Sequence, residues 1–341
     1  MKKTVVAAAV AAVLSTGAFA QNVVLAGLID AYAGSIQYSG DKRTSMVNSG
    51  GMTTSWWGMS GSEDLGGGLK AEFKINGFFR GDNGAFGRFN GNENTFSRDA
   101  WIGLTGNFGT VHFGRDLAPN FLPTVVFNAF GDSFAFSPLV LHANVPLFNG
   151  TNWAAVNAGD TGWSNQVRYT TPNIGGLTAN LHYQFGEVAG DSSKKNVGIN
   201  ALYFNGPVTL TGFYERDQMS NPAVPSTYLG TTKTDWMLGG AYDFAVVKAF
   251  ASYGQAKADN TSNKAKTTQL GVSVPTGAAG KVLASYAQTK MTDTDISRKT
   301  FTVGYDYFLS KRTDVYVMAM NDRITNQTKG NSFGLGIRHR F

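Results

Sequence analysis

Apolar and polar residues alternate with a period of two along most of this chain. In WSNQVRYT, Trp163, Asn165, Val167 and Tyr169 share one parity, and Ser164, Gln166, Arg168 and Thr170 the other. LTANLHYQF sets Leu177, Ala179, Leu181, Tyr183 and Phe185 against Thr178, Asn180, His182 and Gln184. RKTFTVGYDYF sets Phe301, Val303, Tyr305 and Tyr307 against Thr300, Thr302, Gly304 and Asp306. The stripe continues to residue 341: Phe333, Leu335, Ile337, His339 and Phe341 alternate with Gly334, Gly336, Arg338 and Arg340. Period two marks a strand with one apolar and one polar face. A sustained 3.6-residue pattern is hard to find, so helix is a minor component.

The joints between these segments are of two kinds. EDLGGG, TGNFG, TPNIGG, FNGP, DFAV, PTGAAG and FLSKRT are short and read as hairpin turns. The segments 34–53, 81–95, 118–162, 187–195, 218–232, 258–266, 290–296 and 325–330 are longer and polar. Short and long joints alternate strictly, which predicts 16 strands in up-and-down order. A soluble sandwich mixes its connections through Greek keys. Short turns at one rim and long loops at the other are the pattern of an all-β transmembrane barrel. Lipid offers no hydrogen bonds, so such a sheet must close on itself. The apolar stripe then faces lipid and the polar stripe a lumen. Tyr32, Tyr183, Phe185, Tyr242, Phe244, Tyr305 and Tyr307 lie near strand ends, where interfacial aromatics gather. Closure also requires the last strand to pair with the first, which explains an alternation kept up to Phe341.

Composition agrees with this reading. Glycine supplies 42 of 341 residues, aromatics 13% and charged residues only 15%. There is no cysteine, hence no disulfide framework and no thiolate chemistry. The first 20 residues carry two lysines, a short apolar run and Ala18-Phe19-Ala20, the layout of a cleaved secretory signal. The barrel is expected over 21–341, exported by that signal. Loss of Lys2 and Lys3 takes the formal charge from +6 to +4. The remaining excess is dispersed, with no basic run suited to nucleic acid.

One loop is unlike the others. Residues 118–162 are too many for a plain connection and include Phe121, Phe127, Phe130, Phe134, Phe136, Phe148 and Trp153. Such a segment is costly in solvent, so it is expected to fold into the barrel and pack on its wall.

At SWWGMSGSEDLGGGLKAEF the chain resembles the Gram-negative general porins of the betaproteobacterial type. LAGLIDAY, SRDAWIGLTGNFGTVHFGRD, NQVRYTTPNIGGL, LGVSVPTGAAGKVLASYA, GYDYFLSKRTDVY and LGIRHRF extend the resemblance over essentially the whole mature chain. It implies a homotrimer of 16-stranded outer-membrane barrels, in contact with lipid and lipopolysaccharide, passing small hydrophilic solutes and anions. It also implies an inward third loop whose acids face basic residues of the wall. Position by position, the wall cations match Arg98, Arg115 and Arg168, and Asp132 falls where the loop carries an acid. Alternation independently puts Arg168 on the polar face and leaves Arg98 undecided. Two positions depart from the pattern: Trp56 and Ser60 stand where arginine is usual. That weakens the expected anion selectivity, although Lys70, Lys74 and Arg80, read as sharing a face with Glu72, restore part of the charge. A terminal Phe341 on an alternating strand resembles the signal read by the outer-membrane assembly machinery.

Other chemistry finds little footing. Gly131-Asp132-Ser133 is a three-residue match to an esterase motif with no triad context. His112, His142, His182 and His339 are scattered and lack metal-ligand spacing. DLGGGLK lacks the ending of a phosphate loop. No cofactor or metal is expected. A solute-selective channel with an aromatic constriction is the second reading; a β-barrel enzyme and an adhesive surface protein represent other classes.

Overall fold

The computed structural model describes residues 22–88, 93–144, 162–221 and 228–341. The expected leader lies outside these residues, as do Phe148 and Trp153 of the long loop. The strands are β1 (Asn22–Ile36), β2 (Thr44–Ser49), β3 (Trp56–Gly66), β4 (Leu69–Phe78), β5 (Asp99–Gly106), β6 (Gly109–Leu117), β7 (Gly162–Thr170), β8 (Leu177–Phe185) and β9 (Lys195–Asn205). They continue with β10 (Val208–Met219), β11 (Tyr228–Asp243), β12 (Lys248–Ala258), β13 (Lys264–Thr276), β14 (Gly280–Met291), β15 (Ser297–Phe308), β16 (Thr313–Ile324) and β17 (Gly330–Arg340). Two short helices, α1 (Phe121–Val126) and α2 (Pro138–Asn144), lie in the long loop.

All neighbouring strands are antiparallel, and β17 pairs with β1, so the sheet closes. The 17 strands among the described residues make a 16-stave barrel, because β2 and β3 share one stave. β3 pairs with the lower part of β1, Asn22–Leu28, and β2 with the upper part, Ala31–Ile36. Residues 50–55 between them leave the ladder and turn inward. The seven short turns and the later loops fall where the pattern of joints puts them; the first loop, expected over 34–53, is a correction, because β1 runs on to Ile36 and Thr44–Ser49 returns as β2 to pair with it. At the first turn Gly66, Gly67 and Gly68 all have positive φ, between +62° and +86°. Three successive left-handed residues are tolerable only for glycine.

Burial follows the alternation. On β17, Phe333, Leu335 and Ile337 are exposed on the outside, whereas Gly334, Gly336 and Arg338 are buried. On β15, Phe301 and Val303 are exposed, and Thr300, Thr302 and Asp306 have no exposed surface. An exposed aliphatic belt with a buried polar interior is the reverse of a water-soluble protein; a lipid surround gives both faces their proper medium. Ring pairs Tyr183–Phe185, Tyr242–Phe244 and Tyr305–Tyr307, with centroids 4.8, 4.5 and 6.3 Å apart, cluster at the ends of staves.

Two aromatics depart from the outward placement that alternation suggests. Tyr32 shares parity with Asp30, points inward and is 4% exposed, its ring edge-on to Phe136. It belongs to the interior and not to an interfacial girdle. Trp163 is also buried, beside His182, instead of sharing a face with Val167 and Tyr169. The β6–β7 register shifts between Gly114 and Asp116, and Asn165 has φ +52°. That bulge inserts an unpaired residue and flips every side chain beyond it.

Candidate functional site

The inner faces of β3 to β8 form one polar wall. Asp99 collects three donors on one oxygen: Asn76 Nδ2 at 3.0 Å, Lys74 Nζ at 3.3 Å and Arg98 Nη1 at 3.3 Å. Arg98 stands just before β5 and stacks over the Trp56 ring, 4.1 Å from its centroid. Ser60 lies directly opposite Lys74 in the β3–β4 register. The two departures from the arginine pattern are thus each matched by a neighbouring cation. Glu72, on the same face as Lys74, accepts from Thr105 at 2.5 Å. Lys70 lies exposed two residues nearer the short-turn rim. Arg80 falls beyond the end of β4, in a turn where its N–H donates to the Ala85 carbonyl, so it does not share the strand face of Lys70, Glu72 and Lys74.

Arg168 projects inward from β7. It pairs with Asp116 at 3.0 Å and donates twice to the side-chain Oδ1 of Asn180. His112 shares Asp116, at 2.6 Å, and its ring stacks on Trp101 with centroids 3.6 Å apart. Arg115 behaves differently. It is 7% exposed, and its guanidinium donates to the carbonyls of Ser97 and Gly162 and to the Ser164 hydroxyl. Those bonds staple the start of β5 to the start of β7.

The described part of the long loop lies against the inner wall. Asn120 donates to Glu215 and Pro119 accepts from Asn200, which fixes the approach to α1 on β9 and β10. His142 on α2 bonds Thr289 and Thr300, both at 2.8 Å, and Arg298 donates to the Leu141 carbonyl. Thr302 donates to the Phe136 carbonyl. Phe130, Ala135, Phe136 and Leu141 are packed with Tyr32, Leu283, Tyr316 and Met318 of the wall. Phe127, Phe130 and Phe136 are each at most 1% exposed, so these rings hold the loop down and do not line a passage. At the loop tip, Asp132 accepts from the Thr53 hydroxyl at 2.9 Å, and the same hydroxyl accepts from Arg338 at 2.8 Å. Burial raises the Asp132 pKa; the Thr53 bond and the charges of Arg338 and Arg98 partly oppose that rise.

Asp132 is therefore joined to Arg338 through Thr53, Arg98 stands with Trp56 and Asp99, and Arg168 and Arg115 are engaged along the β6–β7 wall. Sequence reasoning put Arg338 on the water-facing parity but did not join it to the site. It pairs with Asp314 at 3.0 Å, directly opposite it in the register. Opposite charges at facing positions of adjacent hairpin strands were the available signal. No group of three or more His, Cys, Asp or Glu side chains among the described residues is placed to hold a metal ion.

The profile of the Gram-negative porin family matches residues 7–327. The chain is a Gram-negative porin. It is 32% identical to outer membrane porin protein 32 of Delftia acidovorans, over 93% of this chain and 88% of that one. Identity to an outer membrane porin protein of Bordetella pertussis is 29% over the full length of both. Among solved structures, the anion-selective porin from Comamonas acidovorans superposes with a TM-score of 0.78 at 27% identity, covering 94% of this chain and 99% of that one. The porin resides in the outer membrane and forms a channel for passive diffusion. Sixteen staves are wide enough for an aqueous passage.

Proposed function

We propose that the porin works as a trimer of weakly anion-selective channels, passes small hydrophilic solutes and ions without saturation, and catalyses nothing. Lipid and lipopolysaccharide surround it, and Phe341 is its address for the outer-membrane assembly machinery. The long loop narrows the passage, with Asp132 facing wall cations across it. The observation that carries the reading is Arg98. Its side chain is 24% exposed and stacked on Trp56, and its charge, after the Thr53 bond and the Arg338 charge, opposes the rise that burial gives the Asp132 pKa. An accessible cation at a narrow section sets which ion enters. The partners of Arg168 and Arg115 make those two poorer candidates for contact with passing ions. The anion-selective porin from Comamonas acidovorans supports the sign. The buried loop phenylalanines favour general diffusion over a solute-selective aromatic lining.

Planar-bilayer recording in a salt gradient tests this. Arg98→Gln should move the reversal potential towards cation preference, and Asp132→Asn towards anion preference. Trimers should close in three equal conductance steps. A reversal potential unmoved by both substitutions would remove these residues from the constriction.

A further inference from the structure

The turn at residues 50–55 is wound around a single carboxylate. Asp30, on the inner face of β1, has no exposed surface. Its Oδ1 accepts from the N–H of Gly51 at 3.2 Å and from the Tyr316 hydroxyl at 2.5 Å. Its Oδ2 accepts from the N–H groups of Met52 and Thr53, both at 2.8 Å. The Asp30 backbone joins in: its carbonyl accepts from Gly50 N–H and from the Ser49 and Ser55 hydroxyls, and its N–H donates to Ser55 Oγ. A Cβ at position 51 would collide with the Tyr316 hydroxyl. Three successive amides converging on one anion form a nest, a geometry that satisfies the amides and the charge together.

The long loop rests on this turn. Ser133 donates to the Gly51 carbonyl at 2.6 Å, and Met52 is packed with Phe130 and Phe136. Thr53 donates to Asp132 while it accepts from Arg338. The position of the Asp132 charge is thus set by Thr53, and that of Thr53 by Asp30.

We infer that residues 50–55 are a second element of the constriction and that Asp30, acting through Thr53, is a positioning residue for ion selectivity. This rests on the reading of Asp132 as a constriction charge. An amide at position 30 keeps one acceptor oxygen and turns its NH2 either towards the Met52 and Thr53 N–H groups or towards that of Gly51, and so opens the nest. A valine at position 53 leaves the nest intact but unties Asp132, which can then swing away from Arg338 into the lumen with its charge less compensated.

Reversal potentials decide between the outcomes. Thr53→Val should shift selectivity towards cations, opposite in sign to Asp132→Asn; Thr53→Ser, which keeps the hydroxyl, should restore the parental value. In the Asp132→Asn background, Thr53→Val should add nothing. Asp30→Asn should shift selectivity in the same direction as Thr53→Val and raise open-channel noise. Should Asp30→Asn not form a heat-modifiable barrel, the Thr53 series alone is decisive. If Asp132→Asn moves the reversal potential and Thr53→Val does not, the inference is overturned and the constriction reading stands. If Asp132→Asn itself has no effect, the constriction reading fails and the inference goes with it.

Discussion

His142 sits on α2 between two hydroxyls, and its protonation follows from theirs. Thr300 gives its proton to Asp322 at 2.5 Å, so it must accept from His142 Nε2. Nδ1 is then the acceptor of the Thr289 hydroxyl. A neutral ring fits this pair of bonds; an imidazolium, with two donors, does not. Burial, reinforced by the Arg298 charge and opposed by Asp322, holds the His142 pKa well below the ordinary histidine value. The sign of the consequence is fixed. A free loop histidine takes up a proton as pH falls through about 6.5, whereas the docked one does not, so docking weakens by about 1.4 kcal/mol for each further pH unit. The loop should hold best above pH 6.5 and loosen towards pH 5. Open-channel noise should rise over that interval, and His142→Gln, which keeps an amide donor and acceptor, should flatten the dependence. Equal pH profiles for the two proteins would show that His142 is not the group responsible.

At the scale of elements, the closing hairpin offers a direct test. Phe341 N–H donates to the Gly27 carbonyl at 3.0 Å and its carbonyl accepts from Gly27 N–H at 3.1 Å. The Phe341 ring occupies the space that a Cβ at position 27 would need. Deleting Phe341 removes two hydrogen bonds, each worth about 1 kcal/mol net, and Gly27→Val should displace the ring. Both variants should lower the heat-modifiable fraction recovered from membranes, while channels that do assemble conduct normally. Wild-type recovery of both would make the terminal aromatic incidental. The staves were legible in the sequence because one medium lies on each side of the sheet: wherever Phe333 and Leu335 face lipid, Gly334 and Arg338 must face in. The exceptions arise where tertiary contacts override the period. Trp163 turns inward behind the bulge at Asn165. The split between β2 and β3 depends on a carboxylate at position 30 meeting amides more than 20 residues later, which no local pattern encodes. Of the site, the inward parity of Arg168 could be read from alternation. The engagement of Arg115 by the Ser97 and Gly162 carbonyls could not, since those groups lie 18 and 47 residues away.

For the whole molecule, the governing fact is that β1 and β17 are neighbours although about 300 positions separate them. Contacts of such long range form late and slowly, so the two halves of the seam must be kept from other partners until the ring is complete. Once closed, the seam leaves no trace of which stave came first. Phe341 is level with Gly27, five residues from the start of β1 at Asn22 and on the same rim. A linker of about six residues spans that distance of roughly 16 Å at 3.3 Å per residue. Joining residue 341 to residue 22 and opening the chain at Gly190, in the loop between β8 and β9, gives a circular permutant with the same ladder. Chains generally accept new termini at exposed loop tips. The permutant should refold in detergent to a heat-modifiable barrel with the parental conductance; a failure to do so would mean that strand order along the chain directs folding. In cells the same molecule separates two roles for one ring. Phe341 would lie mid-chain, still seated against Gly27 but no longer a terminus, so successful insertion would assign it to the seam, and retention in the periplasm to the address.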